Sequence, residues 1–128
     1  MTQEEKDLLL KDLCARLPYG VWIEGKLKSC KFGAKCMLHA HDIDAIERGQ
    51  YDFYKPYLFP MSSMTEEQQK EYRKVCDLDM TILENRPMKG EPFPAMYNSQ
   101  DWLDANHFDY RGLIPLGLAN DATGLNIY

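Results

Sequence analysis

The first seventeen residues constrain the fold more than any other part of the chain. Thr2 and Glu5 have the spacing of a capping box, in which each side chain satisfies a backbone N–H group at the start of a helix. Apolar residues then recur at the spacing of one helical face, at Leu10, Leu13, Cys14 and Leu17. Because Pro18 disfavours helical backbone at the preceding residue, the pattern predicts an amphipathic helix that ends there.

This spacing divides the helix into a buried and a solvated side. The charged residues fall mostly opposite the apolar stripe, at Lys6, Asp7, Lys11, Asp12 and Arg16. Charged side chains are rarely buried, so we expect them to face water. Cys14 lies on the apolar stripe and is predicted to be an inert core thiol.

Composition indicates one ordinary globular domain. The chain has 128 residues, of which 45% are apolar and 27% are charged, and these values argue against wholesale disorder. It has neither an apolar run of membrane-spanning length nor the basic-then-apolar order of a signal peptide, so we expect a cytoplasmic protein with no membrane contact. A net charge of -5 argues against nucleic acid as a partner.

The middle of the chain predicts a small, bent antiparallel sheet. Segments with strand-like composition alternate with glycine-containing turns, at Val21–Ile23, Leu27–Phe32, Lys35–His41 and Tyr51–Tyr54. Between the last two, the pattern is that of a loop. Pro56 and Pro60 hold the segment 55–60 extended.

Two further short helices are predicted. Thr65 and Gln68 form a second capping box, followed by a helix over Glu66–Cys76 whose thin apolar stripe favours a surface position. Ser99 can cap a second helix that ends at Asn106-His107.

The region between these helices predicts a strand over Met80–Leu83 and a proline-rich loop over Arg86–Pro94. The whole chain, residues 1–128, is therefore predicted to be a single α+β domain. In it, the N-terminal amphipathic helix packs on the bent sheet.

The stretch Asp101–Ile114 concentrates aromatic and charged residues and has two interpretations. It can dock the C-terminal part of the chain on the core, since aromatic side chains bury large areas. Alternatively, it presents a recognition patch of residue types that are mostly enriched at binding hot spots, namely Trp102, His107, Tyr110 and Arg111.

Four residues have the chemistry of a zinc site, namely Cys30, Cys36, His39 and His41. Strand side chains alternate between faces, so neither a two-residue nor a three-residue turn at Gly33 brings all four together. The three-residue turn gives the more regular apolar face, which would include Phe32. With Cys14 and Cys76, the chain has four cysteines. Their spacing is not that of a dense disulfide framework, so we expect free thiols.

A second cluster interleaves lysines with aromatic residues, at Lys26, Lys28, Lys31 and Lys35 with Trp22 and Phe32. Such surfaces bind single-stranded nucleic acid. The alternative is a solvated hairpin whose lysines protect the sheet edge from aggregation.

Three blocks of sequence resemble a family of small proteins from gut-dwelling bacteria and their phages or mobile elements. The blocks are Leu8–Gly20, Lys55–Met64 and Asp101–Ile114. The resemblance implies an intracellular accessory protein, and it brings no catalytic residues or cofactor with it.

No segment has the spacing of a nucleophile elbow, a P-loop or a metal-hydrolase helix, so the sequence specifies no reaction. We therefore expect a non-enzymatic accessory or regulatory protein that acts by protein–protein binding without a cofactor. The alternatives are a zinc-binding module, a single-strand nucleic-acid binder, and a small-molecule-binding protein or enzyme.

Overall fold

The computed structural model describes residues 1–84 and 98–128, and the backbone alone for residues 79–84 and 98. Within these ranges, four helices and five strands confirm the predicted α+β class. In chain order they are α1 (Gln3–Arg16), β1 (Trp22–Leu27), β2 (Ala34–Met37), α2 (Ala40–Glu47), β3 (Tyr51–Pro60), α3 (Glu66–Glu84), α4 (Asn98–Ala105), β4 (Phe108–Asp109) and β5 (Asn120–Asp121). No helix in the described ranges is long and apolar enough to cross a membrane.

The sheet is mixed rather than wholly antiparallel. Its strand order is β2-β1-β3-β4, and β5 also pairs with β3. The strands β1 and β2 form an antiparallel hairpin, and β1 is antiparallel to β3. The end of β3 instead receives two short parallel partners, with Phe59 opposite Phe108 and Tyr57 opposite Asn120. The antiparallel prediction was therefore right for the long strands and wrong for the two-residue strands β4 and β5.

One core joins α1, α2, the sheet and the C-terminal segment. Its fully buried aliphatic residues come from every one of these parts, namely Leu9, Leu13, Val21, Ile23, Ile46, Leu58 and Leu113. Because each element contributes only one or two of these side chains, no element buries its apolar face without the others.

Both predicted capping boxes are present. The backbone N–H of Glu5 donates to Thr2 Oγ1 at 3.1 Å, and the N–H of Thr2 donates to Glu5 Oε1 at 3.2 Å. At α3, the N–H of Gln68 donates to Thr65 Oγ1 and the N–H of Thr65 donates to Gln68 Oε1. These contacts satisfy N–H groups that have no partner within the helix.

The helix α3 is longer than predicted. The predicted helix over Glu66–Cys76 is confirmed, whereas the predicted strand over Met80–Leu83 is wrong, because α3 continues to Glu84. No glycine or proline interrupts the sequence before that point. The predicted loop over Arg86–Pro94 lies outside the described residues.

The predicted strands over Leu27–Phe32 and Lys35–His41 were also largely wrong. The strand β1 ends at Leu27, β2 ends at Met37, and the helix α2 begins at Ala40. Asp42 explains the change, because its Oδ2 accepts the backbone N–H of His39 at 2.8 Å and caps the start of α2.

The buried side of α1 also differs from the prediction. Its fully buried residues are Leu9, Asp12, Leu13 and Arg16, which follow an i, i+3, i+4, i+7 spacing. Cys14 is exposed, so the prediction of a core thiol there was wrong. The helix is thus turned so that two charged residues, rather than Cys14, face the interior.

Asp12 and Arg16 are buried because each meets several partners. Arg16 Nε lies 2.8 Å from Asp12 Oδ2, and Arg16 Nη2 donates to the carbonyl oxygen of Phe108 at 2.6 Å. Arg111 Nη1 donates to Asp12 Oδ1 at 2.8 Å. Buried charges are tolerated when they are paired and hydrogen-bonded, and these contacts provide such partners for Asp12 and for Nε and Nη2 of Arg16. Nη1 of Arg16 is buried without a hydrogen-bond partner among the described residues.

We expect the substitution Asp12→Asn to lower the free energy of unfolding by about 3–5 kcal/mol, because it leaves the buried Arg16 without its counter-charge. Urea denaturation of the purified protein measures this loss.

Asp44→Asn is the matched control on another helix. Asp44 pairs with Arg48 at 3.2 Å with both side chains more than 60% exposed, and its loss should change stability by no more than about 0.5 kcal/mol. Equal effects of the two substitutions would contradict a structural role for the buried pair.

Candidate binding surface

The predicted recognition patch begins at Trp102, on α4. The Trp102 ring stacks on Phe108 with 5.8 Å between ring centres, and the Tyr72 ring lies 5.5 Å away. Its Nε1 is buried and has no hydrogen-bond partner in the described part of the chain. Most of the Trp102 side chain is therefore in contact with other parts of the protein.

His107 ends α4 in a left-handed backbone conformation, with φ of 65°. The predicted helix end at Asn106-His107 is thus confirmed. The imidazole ring stacks on Tyr128 with 3.6 Å between ring centres, and its Nδ1 is buried. Burial of the ring, assisted by the positive charge of Arg16, lowers the pKa of His107 to about 4. The imidazole is accordingly neutral at physiological pH.

Tyr110 and Arg111 join the buried network below α1. The Tyr110 ring faces the guanidinium groups of Arg111 at 4.5 Å and Arg16 at 5.4 Å. Its hydroxyl donates to Asp104 Oδ1 at 2.7 Å. The structure therefore brings Tyr110 and Arg111 together. The polar groups of both residues bind within the protein, and Arg111 donates to Asp12.

The four predicted zinc ligands occupy three different elements. Cys36 lies on β2, Cys30 lies in the loop before it, and His39 and His41 lie at the start of α2. The two imidazoles stack at 5.5 Å beside Asp42. In the described residues, no three histidine, cysteine or acidic side chains are placed to hold a metal ion. The arrangement gives the zinc interpretation no support.

The most exposed chemically distinctive region is the hairpin surface, which we define as the loop 28–33 together with β2. Phe32 projects from this loop with 80% of its area exposed, the highest value among the exposed large apolar residues of the described chain. The three-residue turn would have placed Phe32 on the apolar face. That expectation was wrong, because β1 ends at Leu27 and leaves Phe32 in the loop.

Close backbone packing holds this loop in place. The N–H of Lys28 donates to the carbonyl oxygen of Gln50 at 2.8 Å, which ties the loop to the start of β3. A methyl group at Gly33 would lie 2.8 Å from Cζ of the Phe53 side chain, so a larger residue there would require the Phe53 ring to shift. The hairpin surface is therefore supported by the sheet from below.

The strand β2 has an open edge in the described structure, because β1 is its only strand partner there. The N–H of Leu38 donates to the carbonyl oxygen of Val21 at 2.9 Å. Hydrogen bonding alternates along an antiparallel strand, so the N–H groups of Lys35 and Met37 point away from β1. These two N–H groups face no strand in the described residues, whereas the outward carbonyl oxygen of Met37 already lies 2.8 Å from His39 Nδ1.

The hairpin surface is basic on an acidic protein. Its residues, 28–37, contain three lysines and no acidic residue, although the whole chain carries a net charge of -5. Lys26 pairs with Asp52 at 2.6 Å. Lys28, Lys31 and Lys35 are exposed and form no ion pair with the described carboxylates, although Lys35 Nζ lies 5.4 Å from the centre of the Tyr57 ring. The surface therefore favours an acidic ligand.

Comparison of the chain with protein-family models, with curated proteins and with solved structures gave no significant match. The functional interpretation consequently depends on the geometry of the chain itself.

The buried state of His107 predicts a pH-dependent loss of stability. Its pKa in the folded protein, about 4, lies below the ordinary value of 6.5. Between these two pH values the unfolded chain binds a proton at His107 that the folded chain does not. The contribution of the neutral His107 to the free energy of unfolding is therefore complete above pH 6.5 and is lost as the pH falls towards 4. Because the ring is only partly buried, solvent screening leaves about 1–2 kcal/mol.

His107→Asn is the variant that tests this prediction, because asparagine tolerates positive φ and does not titrate. We expect its unfolding free energy to fall less between pH 7 and pH 4.5 than that of the unmodified protein. Urea denaturation at a series of pH values measures the difference, and parallel pH profiles would contradict it.

Proposed function

We propose that this protein is a non-enzymatic accessory protein that binds a partner protein through the hairpin surface. An extended, acidic segment of the partner would add to the edge of β2 as a further strand. The open edge of β2, with its outward N–H groups at Lys35 and Met37, is the observation that carries this proposal.

Strand addition suits the chemistry of this edge. Backbone hydrogen bonds to a sheet edge supply affinity, and the flanking side chains supply specificity. Here Lys31 and Lys35 would attract carboxylates on the added segment, and the exposed ring of Phe32 offers an apolar contact at its end. The loop 28–33 is already held by the sheet, so it would need little rearrangement on binding, and a low cost of rearrangement favours affinity.

The same lysines disfavour pairing of β2 with a second copy of itself. Two copies would bring Lys35 and its neighbours into repulsive contact, as edge lysines do in proteins that avoid edge-to-edge aggregation. A different, acidic protein is therefore the better partner.

Two predictions from the sequence accompany this proposal. A cytoplasmic, accessory role agrees with the resemblance to small proteins of gut bacteria and their phages or mobile elements, and it remains a prediction. A contact patch at Trp102, His107, Tyr110 and Arg111 also remains a prediction, although the internal contacts of these residues make the hairpin surface the first candidate.

The substitution Lys35→Pro tests strand addition directly. It removes the outward N–H of residue 35 but leaves the hydrogen bonds of β2 to β1 in place. The matched control Lys35→Ala removes the charge and keeps the N–H. Circular dichroism would confirm that both variants fold.

The probe is a fluorescent peptide of alternating valine and glutamate, and its binding is measured by anisotropy. We expect Lys35→Ala to weaken binding up to about fivefold and Lys35→Pro to weaken it by about a further tenfold. A matched valine–lysine peptide should not bind.

Equal affinities of the two variants for the valine–glutamate peptide would overturn strand addition. Tighter binding of an oligothymidylate than of the acidic peptide would replace the proposal with single-strand nucleic-acid binding.

A further inference from the structure

Two of the four cysteines open on the same small cavity. Cys30 lies in the loop 28–33, and Cys36 lies on the neighbouring strand β2. Both line a cavity of about 160 Å³ beneath the hairpin, together with Gly25, Phe32 and Tyr51. Five residues of chain separate the two cysteines, and both side chains face the same cavity.

The two sulfur atoms also act on one hydroxyl group. Burial, followed by the hydrogen bond to Asp42, raises the pKa of Tyr51, and the charges of Cys36 and Cys30 raise it further. Electrostatic effects of this kind fall off over a short distance. The geometry agrees, because Tyr51 lines the same cavity as both thiols.

Both thiols are free and exposed to small reagents. The other two cysteines belong to different parts of the fold, since Cys14 is on the exposed side of α1 and Cys76 is partly buried on α3. Neither lines the cavity below the hairpin. They serve as internal controls for reactions that need a second nearby thiol.

We propose that Cys30 and Cys36 are a thiol modification site that is oxidised reversibly to a disulfide by a low-molecular-weight disulfide such as oxidised glutathione. The site is defined by the shared cavity and does not depend on the partner proposed above.

The exchange proceeds in two steps. The thiolate of Cys30 attacks one sulfur of oxidised glutathione, which forms a mixed disulfide and releases one glutathione thiolate. The thiolate of Cys36 then attacks the Cys30 sulfur and releases the second glutathione. Two electrons pass to glutathione, and the protons of both cysteines leave to solvent and glutathione.

Cys36 is the better candidate for the second step. Partial burial, together with the nearby charge of Asp42, raises the pKa of its thiol and reduces its thiolate fraction. Once Cys30 carries glutathione, the proximity of Cys36 compensates for that lower fraction. The resulting disulfide encloses Lys31, Phe32 and Lys35 in a short ring, so it would restrict the exposed loop.

The test incubates the purified full-length chain with oxidised glutathione, blocks the remaining thiols with iodoacetamide and measures intact mass. We expect a disulfide between Cys30 and Cys36 in the unmodified protein, with no glutathione on either of them, whereas the exposed Cys14 has no second thiol nearby to displace a glutathione. Trypsin can cleave after Lys28, Lys31, Lys35 and Arg48. The disulfide should therefore join the peptides 29–31 and 36–48, and reduction should separate them.

Serine variants distinguish the mechanism from general oxidation. Cys30→Ser and Cys36→Ser should each lose the internal disulfide, and Cys36→Ser should retain glutathione on Cys30 because no second thiol can displace it. The double variant Cys14→Ser/Cys76→Ser should form the disulfide like the unmodified protein. Accumulation of glutathione on Cys30 or Cys36, or alkylation of all four thiols, in the unmodified protein would overturn the proposal.

Discussion

The buried ion pair between Asp12 and Arg16 links the beginning of the chain to its end. Arg16 reaches the carbonyl oxygen of Phe108, and Asp12 accepts from Arg111, so one turn of α1 is bonded to two points on the C-terminal segment. Charges of both signs lie within hydrogen-bonding distance, which offsets part of the large desolvation penalty of burying them. The position of the C-terminal segment on the core follows from this arrangement.

The aromatic residues near that pair are placed by the same contacts. Phe108, which is held through its backbone by Arg16, stacks with Trp102 and lies 6.1 Å from Phe59 between ring centres. Tyr110 fills the space beside both arginines. Of the two interpretations of the stretch Asp101–Ile114, these contacts fit docking on the core, and they leave little free polar surface for recognition.

The hairpin surface has the opposite character. Its backbone is tied to β3 on one side, but the outer edge of β2 and the three lysines without described ion pairs face solvent. Asp42 connects this surface to the interior, because its carboxylate caps α2 and accepts the hydroxyl of Tyr51 at 2.9 Å. The cavity lined by Cys30 and Cys36 is also lined by Tyr51 and by Phe32 of the exposed loop.

The sequence alone determined the features that depend on neighbouring residues. The boxes at Thr2 and Thr65, the extended segment around Pro56 and the helix end at His107 were predicted, since each is set by contacts within a few positions or by a fixed φ. The helix α2 was missed, although Asp42 and the Ile43/Ile46 spacing were local signals for it.

Only the tertiary structure decided which charged residues are buried and which aromatic residue is exposed. The sequence predicts Asp12 to be a solvated helical residue, because its partner Arg111 lies 99 positions away along the chain. The sequence predicts Phe32 to be a core residue, because its exposure depends on where β1 ends and this end point is set by the fold. Local preferences act over a few residues, whereas burial of a charge depends on distant groups that only the folded chain brings into contact.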